Sequence, residues 1–177
     1  MKNDDIKKSK DELVTPHIIA YIDFLGIKSY LKSNPENYLI TSFRFIYDVI
    51  VDVLARINEN NTLDKQEIKY KIFSDNAIFA IKYTESNFRH NANLLLTFIS
   101  MFQNFVVSER GLLLRGGICT GDLYIDDNFV LGSGLITAYN IENTLAIYPR
   151  IIVDDDIIKR YHAAPRYCFQ MCIRDSF

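Results

Sequence analysis

The sequence predicts an α+β fold, a mainly antiparallel sheet with helices packed on it. Helical and hairpin patterns alternate along the chain, which is typical of such folds. Hydrophobic residues make up 49 % of the 177 residues, so the chain can bury a sizeable core. No internal repeat, linker or low-complexity stretch divides the sequence, and a chain of this length usually forms one domain.

The first elements are a leader, a strand and two helices. Residues 1–15 are mostly charged or polar and predict a flexible leader. The apolar run HIIAYID at 17–23 predicts a buried strand. A turn at Gly26 leads to a short helix, and apolar residues at helical spacing over about 36–57 predict a longer one.

A hairpin, a helix and another strand occupy the middle of the chain. After a polar loop at 58–62, the stretch KYKIFSDNAIFAIKY at 69–83 predicts two short strands that meet at a Ser-Asp-Asn tip. Apolar residues on one face over about 88–108 predict a third helix. The stretch 112–121 then predicts a strand.

The remaining residues predict a second hairpin and a closing βα unit. The hairpin has its turn at 126–128, and Ser133 is the expected N-cap of a helix that reaches about residue 144. A strand at 150–154 and a last helix follow. The predicted order is therefore β-α-α-β-β-α-β-β-β-α-β-α.

Composition narrows the possible functions. The formal net charge is −2, and basic residues do not cluster with aromatic ones, so nucleic-acid binding is disfavoured. The N-terminus lacks the apolar core of a signal peptide, and no apolar run approaches the roughly 20 residues of a membrane helix. The three cysteines lack metal or disulfide spacing. We expect a cytoplasmic protein with neither a membrane nor a nucleic acid as partner.

The C-terminus carries a separate signal. The residues QMCIRDS, 170–176, can be back-translated into AGATGTGTATAAGAGACAG, which resembles a transposase sequencing adapter. We therefore expect residues 170–177 to be sequencing read-through, and the domain to span 16–169 with its natural continuation missing. The alternative is an ordinary polar tail.

Two acids stand at predicted strand ends. Asp23 closes the first apolar strand, and Asp75 lies at the tip of the first hairpin. If that strand lies beside the hairpin, both carboxylates reach one sheet edge, where a divalent cation would offset their repulsion. The alternative is local, with Asp23 capping the next helix and Asp75 forming an Asx turn.

Four segments around these acids resemble the class III nucleotidyl cyclases. They are IDFLGI, KIFSD, LRGGICTG, and LGSGLITAYNIEN followed by YPRIIVD, in the order of the family. The resemblance covers about residues 17–155. It implies a ferredoxin-like core of antiparallel strands with helices on one side.

The resemblance implies a metal site and a nucleotide site. Asp23 and Asp75 would bind two Mg²⁺ or Mn²⁺, with the carbonyl of Phe24 as a further ligand. The substrate would be a nucleoside triphosphate. Its phosphates would contact the backbone amides of Leu25 and Gly26, and its base would contact Lys71. An ordinary exposed lysine on a strand is an equally good explanation of Lys71.

The chain departs from the family at four positions. Ile136 replaces the family's ribose-orienting Asn, and Asn140 replaces its charge-stabilising Arg. The position of the family's second base-reading acid falls near Phe129, and Ser74 replaces the Gly before the second metal-binding Asp. Catalytic substitutes could come from Asn140 itself or from Arg150, although a surface role fits Arg150 better.

Two further charged residues have a structural interpretation. Arg115 lies on the strand of the third motif, as it does in the family, and is expected to be structural or salt-bridged. Glu142, in the fourth motif, is expected to make a fold contact and not to act as a base.

Three functional hypotheses follow. The first is a divergent cyclase that forms a 3′,5′-cyclic nucleotide and pyrophosphate, works as a homodimer, and serves bacterial signalling or anti-phage defence. The second is a catalytically silent cyclase-fold module that binds a nucleotide or a partner. The third is a structural domain without a ligand. The base preference is open.

Overall fold

The computed structural model describes residues 14–27, 36–59 and 67–162. Within these ranges the chain forms six strands and four helices. In chain order they are β1 (Thr15–Leu25), α1 (Glu36–Glu59), β2 (Lys69–Phe73), β3 (Asn76–Lys82), α2 (Phe88–Arg110), β4 (Leu113–Ile125), β5 (Val130–Leu131), α3 (Ser133–Leu145), β6 (Ile151–Val153) and α4 (Asp155–His162).

The predicted α+β class and mainly antiparallel sheet are confirmed, with one correction to the strand count. Three strands were expected between α2 and α3, but β4 runs unbroken through Gly121 and only the two-residue β5 follows it. The turn at 126–128 is present, because the Asp126 carboxylate accepts backbone N–H bonds from Asn128 and Phe129, each 2.7 Å long.

Several predicted segments lie outside the described residues. These are most of the leader, most of the short helix after Gly26, most of the loop at 58–62, and the tail at 170–177. Thr15, which was assigned to the leader, is the first residue of β1.

β1 is the central strand of the sheet. The strand order is β2-β3-β1-β4-β5, and β6 pairs with β4 in the one parallel pairing among the described strands. The apolar sequence of β1 explains its central position, because a strand that is buried on both faces is a nearly continuous run of hydrophobic residues. Ile18 and Ile19, which point to opposite faces, are both fully buried.

Helices cover both faces of the sheet, which corrects the expectation of helices on one side. On one face, Ile22 and Phe79 pack with residues of α1, α2 and α4, such as Ile50, Phe98 and Ile157. The other face carries a smaller core that α3 and the β4–β5 hairpin cover. The aromatic packing of Phe79 against Phe98 and Phe102 anchors α2 to the first face.

Two glycines of β4 seat α3 on the sheet. A Cβ on Gly121 would come within 2.4 Å of the Gly134 Cα, and one on Gly117 would come within 2.4 Å of the Ala138 carbonyl oxygen. The helix backbone therefore lies directly on the strand. This close approach positions Glu142, near the C-terminus of α3, beside Arg115 at the start of β4.

No helix among the described residues is long and apolar enough to span a membrane.

The β2–β3 turn contains a strained residue. Ser74 has a φ of +54°, in the left-handed region that residues other than Gly, Asn and Asp rarely adopt. This is the position where the resembling family has Gly.

We expect Ser74→Gly to be more stable than Ser74→Ala by about 0.5 to 1 kcal/mol, because release of left-handed strain outweighs the extra backbone entropy of glycine. Both variants lose the hydroxyl, so the comparison isolates the Cβ. Urea unfolding of the two proteins measures the difference, and equal midpoints would contradict the strain argument.

His17 is a buried titratable group on β1. Its Nδ1–H donates to the Thr15 carbonyl at 2.7 Å. Burial lowers the pKa of His17 below 6.5, with Lys69 and Lys82 acting in the same direction and the Thr15 bond and Asp122 opposing. The folded state therefore prefers the neutral ring.

Because the folded-state pKa lies below the unfolded value, stability should be complete above about pH 7 and should fall as pH drops through 6.5. His17→Gln should flatten this part of the stability-against-pH curve. Urea unfolding between about pH 5 and 8 measures the slope. An unchanged slope in His17→Gln would count against the buried neutral ring.

Candidate functional site

The two predicted acids lie at the same end of the sheet. In the antiparallel register, Asp23 of β1 faces Asn76 of β3 on one side and Arg115 of β4 on the other. The Phe24 N–H donates a 2.9 Å hydrogen bond to the carbonyl of Asp75. The tip of the β2–β3 hairpin is therefore bonded directly to the residue that follows Asp23.

The carboxylates of these acids approach the same face. Asp23 shares its face with Tyr21, two residues earlier. Asp75 is a turn residue, and its Oδ1 accepts a bond from the Asn76 side chain, which in turn accepts one from the Tyr21 hydroxyl. Burial raises the pKa of Tyr21 to about 12, and the negative charges of Glu142, Asp23 and Asp75 add to the effect.

Arg115 joins Asp23 to a buried acid of α3. Its Nη2 lies 3.1 Å from Asp23 Oδ2, and its Nε lies 2.5 Å from Glu142 Oε1. Glu142 is 3 % exposed. Its pKa is raised, because burial outweighs the attraction of Arg115, and Asp23 adds a smaller repulsion. Arg115 was predicted to be structural or salt-bridged and Glu142 to be a fold contact, and both interactions are present.

Lys71 lies on the same sheet face as Asp23, because it pairs with Ile78, two residues along from Asn76. Its Nζ donates to the carbonyl of Asp127, and Lys69 Nζ donates to that of Ile125 at 3.3 Å. β3 and β1 separate β2 from β4 in the sheet. The end of β4 must therefore curl across this face, and the β4–β5 turn becomes a neighbour of Lys71.

Leu25 and Gly26 end β1 next to the acids. Leu25 pairs with Leu113 as the last residue of the strand. Gly26 is exposed and has a φ of +85°, a conformation that favours glycine. Their backbone lies at the edge where the triphosphate was predicted to bind.

The two predicted catalytic residues belong to α3 and to the loop that follows it. Asn140 and Ile136 are exposed on the outer side of α3, whose inner side carries the buried Ala138, Ile141 and Glu142. Arg150 is exposed, and its Nη2 donates to the Leu145 carbonyl at 2.7 Å. That bond caps the C-terminus of α3.

Sequence reasoning missed Tyr21 and Asn76. One signal was available for Tyr21, because a residue two before a strand-terminal acid must share its face. Asn76 was treated as part of the turn. The bond of Tyr21 to Asn76, and through it the link to Asp75, depends on the pairing register.

The donor set at this edge suits a hard cation. Carboxylates and carbonyl oxygens are the ligands that Mg²⁺ and Mn²⁺ take, with water or phosphate completing the shell. No group of three or more His, Cys, Asp or Glu side chains in the described part of the chain could hold a metal. Cation binding here would therefore depend on Asp23, Asp75 and a carbonyl, with oxygens of water or of a phosphate completing the shell. A separate cavity of about 680 Å³ is lined by α1 and α2 and contains none of the predicted site residues.

We expect Arg115→Met to destabilise the fold by about 2 to 4 kcal/mol, because Glu142 keeps a buried charge without its cation. A carboxyl with a raised folded-state pKa binds its proton more tightly when folded, so the loss should shrink as pH falls below neutrality. Urea unfolding at about pH 7.5 and 5 measures both effects.

The matched control is Arg56→Met, which removes an exposed ion pair with Asp52 and should cost less than about 0.5 kcal/mol. The double variant Arg115→Met with Glu142→Gln should recover part of the stability. A loss in Arg115→Met that is no larger than in the control would contradict the role of this ion pair.

No family model matches, and no curated protein matches. Solved structures do match. One is the monomeric guanylyl cyclase domain of the RhoGC fusion protein from the aquatic fungus Blastocladiella emersonii, with a TM-score of 0.64 and 9 % identity over 84 % of this chain and 86 % of that domain.

Two further structures extend the likeness. The guanylate cyclase domain of RhGC from Catenaria anguillulae, in complex with GTP, has a TM-score of 0.63 and 10 % identity over 82 % of this chain and 81 % of that one. The adenylyl cyclase CyaB from P. aeruginosa has a TM-score of 0.58 and 8 % identity over 85 % and 82 %. The chain therefore has the fold of the class III adenylyl and guanylyl cyclase catalytic domains.

Proposed function

We propose that the chain is a divergent nucleotidyl cyclase, which converts a nucleoside triphosphate into a 3′,5′-cyclic nucleotide and pyrophosphate. The observation that carries the proposal is the convergence of Asp23 and Asp75 at one edge of a cyclase-type sheet. In the reaction, the ribose 3′-oxygen forms a bond to the α-phosphorus as the bond to pyrophosphate breaks. The hydroxyl proton is released.

Asp23, Asp75 and the carbonyl of Phe24 would hold two Mg²⁺ or Mn²⁺. Such ions, when bound, favour ionisation of an attacking hydroxyl and neutralise charge on phosphate oxygens. The backbone of Leu25 and Gly26 would approach the triphosphate, since Gly26 lacks a side chain at this edge. Lys71 would face the base from β2, beside the β4–β5 turn.

Arg115 supplies a positive charge beside Asp23. Its guanidinium contacts Asp23 and is partly exposed, so a phosphate oxygen could share it. Loss of one charge-stabilising donor commonly lowers catalysis by about 10² to 10³. We therefore infer a slow enzyme, because Asn140 is uncharged where the resembling family has its charge-stabilising Arg, and Arg150 caps α3.

A homodimer is supported by the surface around α3. Large apolar side chains are exposed on β5, on α3 and in the flanking loops: Phe129, Leu131, Ile136, Tyr139, Ile147 and Tyr148. Exposed apolar groups in such number favour a partner surface. We propose that a second copy of the chain covers this surface.

The second candidate is a catalytically silent, nucleotide-binding module. The exposed Ile136 and the neutral Asn140 favour it, as does the engagement of Asp23 by Arg115. Under either candidate we place the protein in the cytoplasm, in bacterial signalling or defence.

Purified protein incubated with each nucleoside triphosphate and Mn²⁺ should release pyrophosphate and a cyclic nucleotide, identified by mass. Asp75→Ala should lower the rate by about 100-fold or more, since it removes a carboxylate from the cation site. Asp48→Ala, at an exposed position of α1, is the matched control and should keep the wild-type rate.

The outcomes separate the candidates. Nucleotide binding without turnover, measured by calorimetry, would contradict the enzyme and support the silent module. Absence of both binding and turnover would contradict both candidates and leave a structural domain.

A further inference from the structure

A chain of two hydrogen bonds connects the middle of β1 to the second acid. The Tyr21 hydroxyl donates to Asn76 Oδ1 at 2.8 Å, and Asn76 Nδ2 donates to Asp75 Oδ1 at 3.2 Å. Tyr21 and Asn76 are 55 residues apart in sequence, so the tertiary structure alone creates this connection.

The chemistry of the three groups fixes the direction of the chain. A carboxylate only accepts hydrogen bonds, whereas a carboxamide has a donating and an accepting end. If the Asn76 amide were reversed, its oxygen would face the Asp75 carboxylate and repel it. The phenol of Tyr21 is a donor as long as it is protonated, and it therefore holds the amide with its NH₂ towards Asp75.

The Tyr21 ring is well placed to hold this direction. The side chain is almost buried, with 8 % of the residue exposed, and its ring packs edge-on against Tyr139 with centroids 5.5 Å apart. A ring held in this way has little freedom to move its hydroxyl. Because Tyr21 also precedes Asp23 by two residues on one strand face, the same strand positions both acids.

Both donors to Asp75 use the same carboxylate oxygen. Ser74 Oγ donates to Asp75 Oδ1 at 2.9 Å, and Asn76 Nδ2 reaches that same atom. Two hydrogen bonds to Oδ1 fix the carboxylate plane and favour Oδ2 as the oxygen that binds a cation. Groups that hydrogen-bond to a metal-binding carboxylate commonly change metal affinity by 10- to 100-fold.

We propose that Tyr21 and Asn76 are positioning residues that orient the Asp75 carboxylate for one-oxygen binding of a divalent cation. This inference rests on the proposed cation site at Asp23 and Asp75. It concerns how the acid is held, and it is independent of whether turnover occurs.

The test is a Mn²⁺ titration of the protein without nucleotide, followed by calorimetry and by the electron paramagnetic resonance signal of free Mn²⁺. Tyr21→Phe removes only the hydroxyl and should weaken Mn²⁺ binding about 10-fold. Asn76→Ala should weaken it by about 10- to 100-fold. Thermal unfolding without metal gives the folded fraction by which each titration is normalised.

The matched control is Tyr161→Phe. Tyr161 also donates its phenol hydroxyl to an asparagine carboxamide, that of Asn93, but between α4 and α2. It removes the same kind of bond at a place without the acids, and Mn²⁺ affinity should stay at the wild-type value.

Weaker Mn²⁺ binding in Tyr21→Phe and Asn76→Ala, with Tyr161→Phe unchanged, supports the inference. If the wild type binds Mn²⁺ and both variants bind it equally well, the chain of hydrogen bonds is structural only and the inference fails, while the proposed function stands. If the wild type itself binds no Mn²⁺, the cation site fails and the inference fails with it.

Discussion

The register of β1 between β3 and β4 determines the whole acidic edge. Asp23 faces Asn76 of β3 on one side and Arg115 of β4 on the other. One residue of β1 therefore lies next to both the β2–β3 hairpin tip and the guanidinium that neutralises its own carboxylate. A slip of one residue would turn Asp23 into the core that now holds Ile22 and Phe24, at a large desolvation cost. The burial of β1 on both faces excludes such a slip, and the geometry of the acids is a consequence of that burial.

Charge compensation is the second feature of this edge. Burial of Glu142 is costly, and Arg115 offsets part of that cost while its guanidinium also contacts Asp23. The close contact of α3 with two glycines of β4 brings Glu142 to this position. One arginine therefore serves both the stability of α3 and the charge balance beside the acids, and binding of a cation or phosphate there would redistribute its contacts.

The predicted site residues lie in two parts of the structure. Asp23, Asp75 and Lys71 lie near the end of the sheet where β1 terminates. Asn140 and Ile136 lie on the outer side of α3. The proposed homodimer rests on the exposed apolar side chains on and around this outer side of α3.

The sequence by itself determined the element types, because they depend on local periodicity: the buried strand at 17–23, the hairpin at 69–83 and the helices over about 36–57 and 88–108 all have counterparts in the structure. It also singled out Asp23 and Asp75, since charge at the end of an apolar strand needs a reason. It could not determine the length of β4, the helix α3 on the second face, or the links of Tyr21 and Asn76 to the acids. Those features depend on which strands pair and in which register, and pairing is decided by the burial of the whole sheet and not by any local stretch of residues.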